Sequence, residues 1–201
     1  IALSSPAFAQ SAPQAASQSA DARLKALYDA EWQWRTKELA LDPDGEREGS
    51  DRLPSVDAAS QARRAAYWNN ALTELNKIPF DQLSPEERIN AEVFKTALEE
   101  LALEQKYREF EDPFGFWTWI APRGGLSGAQ AYRNYIKRLG DMAPYIGVQI
   151  VNMRAGLKRG FTKPQVSLAG RDAPIEPLAS GDVDKNPLLT SFAPMPGNIP
   201  E

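Results

Sequence analysis

One stretch of the chain constrains the fold more than any other. Ser84 stands at an N-cap position, Pro85 takes the first helical place, and Glu87 follows three residues after the serine, so Ser84-Pro85-Glu86-Glu87 spells a capping box. Behind it Ile89, Val93, Ala97 and Leu101 fall at i, i+4 spacing, joined by Phe94 and Leu98 on the neighbouring row. That is the period of an amphipathic α-helix, and it predicts one running to about Glu111. No sustained two-residue alternation, as a half-buried strand needs, occurs anywhere in the chain. The expected fold class is all-α, an irregular bundle with long helices.

The same period recurs on both sides. Leu24, Leu27, Tyr28, Trp32 and Leu39 predict a first helix from Asp21 to about Leu41, with Asp21 as its N-cap. Pro54-Ser55 with Asp57 opens a second helix to about Ile78, stopped by Pro79. Ser127 with Gln130 makes a further capping box. After it Tyr132, Tyr135, Ile136, Leu139, Met142, Ile146, Ile150, Met153 and Leu157 recur every three or four residues until Gly160, and Pro144 should kink or divide this segment. Four to five helices over residues 21–162 are therefore expected. Beyond Phe161 the period vanishes, and Pro164, Pro174, Pro177, Pro187, Pro194, Pro196 and Pro200 give residues 163–201 an irregular, extended character. So long an irregular tail is expected to lie across further protein.

The opposite end reads as a processed leader. Ile1 to Ala9 resembles the end of an apolar h-region closed by Ala7-Phe8-Ala9, with a cut before Gln10. Residues 10–20, rich in Ala, Ser and Gln, follow as a disordered tether. No lipobox cysteine is present, so the expected location is periplasmic or secreted. No later run approaches the roughly 20 apolar residues that span a bilayer.

Charge and residue types narrow the chemistry. Lys plus Arg number 23 and Asp plus Glu 27, a net charge of -4 that leaves no basic excess for a phosphate backbone, so nucleic acid is not an expected partner. The chain has no cysteine and no histidine. Thiolate nucleophiles, imidazole bases, disulfides and the usual zinc ligands are excluded together, leaving carboxylates, hydroxyls, lysines and arginines.

Several groups are candidates for a site. Phe114, Phe116, Trp117 and Trp119 crowd a loop bounded by Pro113 and Pro122. They could wall a cleft for a peptide or sugar, although aromatics in such loops more often plug a core. Arg123-Gly124-Gly125 precedes a helix start, where free N–H groups favour an anion such as a carboxylate, yet no Walker pattern accompanies it and a plain turn is the weightier reading. The acidic loop Asp42 to Asp51 is not a calcium loop of the EF-hand kind, because its sixth position is Arg47 where glycine is required. The pairs Glu86-Glu87 and Glu99-Glu100, and Glu109 with Glu111 and Asp112, could in principle supply a glycosidase pair, but on an acidic helix they read as solvated surface. Ser127 lies outside a nucleophile elbow and has no histidine to activate it.

Four runs carry a family likeness: Phe116 to Gly125, Tyr132 to Leu139, Asn152 to Phe161 and Leu168 to Asp172. With the rest of the chain from about Leu24 they resemble the N-terminal third of a large bacterial family of exported proteins, the domain of unknown function eight-eight-five. The resemblance implies an all-helical full-length protein with a downstream His-Glu motif and a Gly-His pair similar to a zinc metallopeptidase site. With no histidine in this sequence, none of those catalytic or metal positions carries over. It also implies that Ile199-Pro200-Glu201 begins another helix. On this likeness the chain is expected to be the N-terminal helical lobe of an exported, zinc-dependent peptidase-like protein, lining the substrate channel, with the zinc and the catalytic residues in a missing C-terminal lobe. Trp117, Trp119, Arg123 and Arg171 are the expected contacts to a peptide substrate, the arginines able to pair a carboxylate. The alternative is a non-enzymatic periplasmic helical binding or scaffold protein whose aromatic loop docks a partner.

Overall fold

A computed structural model describes residues 19–42, 49–113, 120, 122, 126–179, 182 and 184–192. The expected leader, most of the tether and the middle of the acidic loop lie outside them. Five long helices carry the fold: α1 (Ala20–Glu38), α2 (Ala58–Leu75), α3 (Pro85–Tyr107), α4 (Gly128–Gly140) and α5 (Met142–Arg159). Two single-turn helices follow, α6 (Gln165–Leu168) and α7 (Glu176–Ala179), and the described residues contain no strand.

Local chemistry sets most of the ends. Ser19, not the expected Asp21, caps α1, its Oγ accepting from the Ala22 N–H at 3.2 Å. The Asp21 carboxylate instead accepts the Ser84 N–H at 3.0 Å, tying the start of α1 to the start of α3. The capping box at Ser84 is therefore half local, since Ser84 Oγ accepts from the Glu87 N–H at 3.3 Å while the serine's own N–H is used by Asp21. Asp57 caps α2, accepting from the Ser60 N–H at 2.7 Å. The box expected at Ser127 does not form; Ser127 makes no capping bond and Gln130 donates to Asn134 at 2.7 Å. Asp141 divides α4 from α5, and Pro144 falls in the first turn of α5, where a missing N–H leaves no helical bond unmade. Gly160 ends α5 at φ 75°, with the Phe161 N–H donating back to the Gly156 carbonyl at 2.9 Å.

Helices α1, α2 and α3 share one core built on Leu24, Trp68, Ala71, Leu75, Ala91 and Leu98, with α2 and α3 packed along their length. The inward row of α3 differs from the one its sequence suggests. Ala91, Phe94, Leu98 and Leu101 pack inward, while Ile89 and Val93 are each 66% exposed. Both rows are apolar at helical spacing, and the inward one sets alanine between larger residues, which lets α2 approach closely. Helix α3 also ends at Tyr107, short of Glu111, because Arg108 turns left-handed (φ 58°) and Glu109–Glu111 forms a 3-10 turn.

A smaller core packs α5 against the segment before α2: Leu53, Val56 and Tyr145, flanked by Met142, Ile146 and Val148. Part of the Pro-rich tail lies across this same chain. Leu188 is buried, its carbonyl accepts the Tyr135 hydroxyl at 2.7 Å, and the Phe192 ring rests against Tyr132 and Tyr135.

Candidate functional site

Three of the four expected contact residues, Trp117, Trp119 and Arg123, lie outside the described residues. Arg171 is exposed on the tail, its Nε donating to the Ser167 carbonyl at 3.4 Å. The structure therefore describes only one of the four. It does describe what flanks the aromatic loop. Ile120 is fully buried, and its carbonyl accepts from Nη2 of the fully buried Arg138 at 3.1 Å. On the other side Glu111, also buried, is paired with Arg108 of the turn after α3 and with Arg159 at the end of α5, Nε to Oε2 at 2.7 Å. Gly156 makes that junction possible, since a Cβ there would stand 2.5 Å from the Glu111 carbonyl oxygen.

The open concave surface runs along the other side of the α2–α3 pair. Ala58, Ala62, Ala65, Asn69 and Leu72 follow one another on a single face of α2 at alternating steps of four and three residues. Ala102 and Gln105 of α3 face them across two hollows of about 590 and 370 Å³. Ala65 and Gln105 line both hollows, so these form one groove with Gln105 at its waist. The smaller hollow is closed by Val151, Asn152 and Ala155 of α5. Gln105 Oε1 is shut away from water and accepts no hydrogen bond. By contrast the amides of Gln61 and Asn152 are both tied to the Val56 carbonyl, at 3.4 and 2.9 Å.

The lining of the groove mixes short apolar side chains with the amides of Gln61, Asn69 and Asn152 and the charged Glu99, Lys106, Arg108 and Glu111. The buried carboxylates of the described residues are held by other groups. Glu31 of α1 accepts from the Trp68 indole N–H at 3.3 Å and has Arg35 Nε 3.3 Å away, while burial pushes its carboxyl above the usual range against the opposing pull of Arg35 and Trp68. Glu111 is paired as above. Among the described residues no group of three or more His, Cys, Asp or Glu is placed to hold a metal ion. The residues present do not fit a catalytic zinc, and no reaction step is derived through one.

The sequence signal for this groove was the row Ala58, Ala62, Ala65 facing Ala102. Attention to aromatic rings and arginines passes over it, because alanine at helical spacing reads as ordinary buried helix face.

The described residues form an all-α bundle with an open groove between α2 and α3. A family model described as "Bacterial protein of unknown function (DUF885)" matches residues 39–200, and the chain belongs to that family. No curated protein and no solved structure matches it.

Proposed function

We propose that this chain is the substrate-walling helical lobe of an exported, zinc-dependent peptidase-like protein, with the zinc and the bond-breaking groups in another part of the protein. The observation that carries this reading is the groove itself: a long concave face of short apolar walls and amides, with the charged Glu99, Lys106, Arg108 and Glu111 along it and neither histidine nor cysteine. The absence of histidine and cysteine from the sequence accords with a lobe that contributes binding and not chemistry. Ile89, Val93 and Tyr107 of α3 and Leu157 of α5 are large apolar residues exposed away from the groove, as expected of faces that meet further protein. Trp117, Trp119, Arg123 and Arg171 are proposed as additional contacts to the peptide. An exported, periplasmic or secreted location belongs to the same proposal. No described helix is long and apolar enough to cross a membrane.

The test is to express the whole gene product and measure its zinc content and its cleavage of a mixed peptide library with and without a chelator. Stoichiometric zinc with chelator-sensitive cleavage is the expected result. A protein with neither would be a helical binding or scaffold protein instead. Replacing Arg123 with Ala in that product should raise KM for peptides bearing a free carboxylate, and unchanged kinetics would remove Arg123 from the contact surface.

A further inference from the structure

Two exposed helix faces carry opposite charge. On α3, Ile89, Val93, Glu100 and Tyr107 follow at steps of four and seven residues, so they share one face, turned away from the inward row of Ala91, Phe94 and Leu98. Ile89 and Val93 are each 66% exposed and Tyr107 is 56% exposed. Glu100 and Glu104, one turn apart on this face, pair with no cation of the described residues. Burial, with Glu109 and Glu100 close by, holds the Glu104 carboxyl above its ordinary range, as crowded like charge does. On α5, Ile150, Arg154, Leu157 and Lys158 are exposed and share a face by the same spacing, and no Asp or Glu lies between Asp141 and Asp172. Arg154 and Lys158 pair with no carboxylate of the described residues, whereas Arg159 and Lys163 beyond them hold Glu111 and Asp112. The two faces match. Each sets large apolar side chains beside two like charges four residues apart, about 6 Å along a helix axis, negative on α3 and positive on α5. Laid side by side, two such helices cover apolar surface and bring the charges together in opposite pairs; the apolar contact supplies affinity and the charges select the partner. Within one chain both faces stay exposed, so the fit is between chains. An anionic membrane suits the α5 face alone and is repelled by α3.

We infer that two copies of this chain associate by packing the acidic, apolar face of α3 in one copy against the basic, apolar face of α5 in the other. This rests on the reading above only in taking these faces to meet further protein.

The whole gene product is followed by analytical ultracentrifugation over a range of concentrations, with circular dichroism checking each variant for folding. Wild type should self-associate, its mass rising with concentration to at least that of a dimer, and less so in high salt. Glu100→Lys with Glu104→Lys, or Arg154→Glu with Lys158→Glu, sets like charges across the contact and should weaken association by about tenfold or more. An equimolar mixture of these two proteins restores opposite charge at the contact and should associate within roughly threefold of wild type. A misfolded protein gains nothing from mixing. Leu157→Ser, which removes apolar contact and leaves the charges, should weaken association roughly threefold to tenfold. Should a reversed variant not fold, Leu157→Ser and the milder Arg154→Gln with Lys158→Gln decide, and wild-type association in both overturns the assignment. A wild type that stays monomeric at every concentration also overturns it, as does association that neither reversal changes, or two weakened proteins that mixing does not restore. Binding of a monomeric wild type to phosphatidylglycerol vesicles, lost with Arg154→Glu and Lys158→Glu, gives the α5 face to lipid instead. Zinc content and peptide cleavage are read separately. A monomer with chelator-sensitive cleavage removes the association alone, whereas association without zinc or cleavage removes the peptidase reading alone.

Discussion

The two halves of the molecule are held together by different means. In the α1–α3 unit the interior is mainly apolar: Leu24 and Leu98 are fully buried around Trp68, the most deeply placed charge, Glu31, sits beside an indole N–H and an arginine, and the buried Arg64 near the start of α2 is paired with Glu38. Around α4 and α5 much of the interior is polar. Arg138, Tyr135 and Asn152 are all buried, and each reaches a main-chain carbonyl of an irregular segment, at Ile120, Leu188 and Val56. Irregular backbone cannot satisfy its own carbonyls, so long polar side chains from a neighbouring helix do so. The first unit thus buries regular helices against each other, and the second uses helices as a frame on which loops are hung. The groove lies on the first unit and is closed at one end by the second.

The sharpest test of this contrast is Trp68→Ala. It removes the largest side chain of the apolar core and one of the two partners of the Glu31 carboxylate, and should cost about 3–5 kcal/mol. Thermal unfolding of the variant should show a large drop in Tm, and a drop no greater than that of a loop-anchor variant would contradict the division of labour. A smaller effect, about 1–3 kcal/mol, is expected for Gly156→Ala, because a methyl there meets the Glu111 carbonyl and must separate α5 from the turn after α3. Hydrogen exchange should rise at Glu109–Glu111 and the end of α5 while α1 stays protected. Tyr135→Phe removes one buried hydrogen bond to the Leu188 carbonyl, worth about 1 kcal/mol. It should loosen residues 184–192, read by limited proteolysis, with little change in global Tm.

How much of this could be read beforehand follows the same division. The division of α4 from α5 in the Pro144 region, the Ser84 start of α3 and the Gly160 stop are local events set by residues within a few positions of each other, and they are legible in the sequence. The inward face of α3 is not, since the Ile89–Val93 and Ala91–Phe94 rows carry equally good helical periods and only the shape of α2 chooses between them. The true cap of α1 was hidden because Ser19 sits in a segment whose composition suggests disorder, while Asp21 is committed to Ser84, more than sixty residues away. Arg138 and Glu111 read as solvated charge in a linear sequence, and Tyr135 as one of an apolar row. Arg138 and Tyr135 reach carbonyls of distant loops, which carry no side-chain signature, and Glu111 pairs with Arg108 and with Arg159 of another helix. The groove was obscure for a related reason: the alanines along it read as ordinary helix face, and Glu99, Lys106 and Arg108 as solvated charge.

The smallest expected effect bears on the most deeply buried charge of the first unit, Glu31. Burial raises the Glu31 carboxyl above its ordinary range, which Arg35 and the Trp68 indole only partly oppose. The folded protein therefore holds the Glu31 proton more tightly than the unfolded chain does. The stability gained from that proton is fully present below the ordinary carboxylate range and is lost as pH rises through the raised folded value. Glu31→Gln carries no titrating proton, keeps an oxygen to accept from Trp68, and leaves Arg35 with its side chain 30% exposed to water. Urea midpoints measured from roughly pH 4 to pH 7 should fall with rising pH more in the wild type than in the variant, and the variant at neutral pH should lie within about 1 kcal/mol of the wild type. A variant several kcal/mol less stable at neutral pH would mean that the Glu31–Arg35 pair supports the unit, and the contrast between an apolar first half and a polar second half would have to be redrawn.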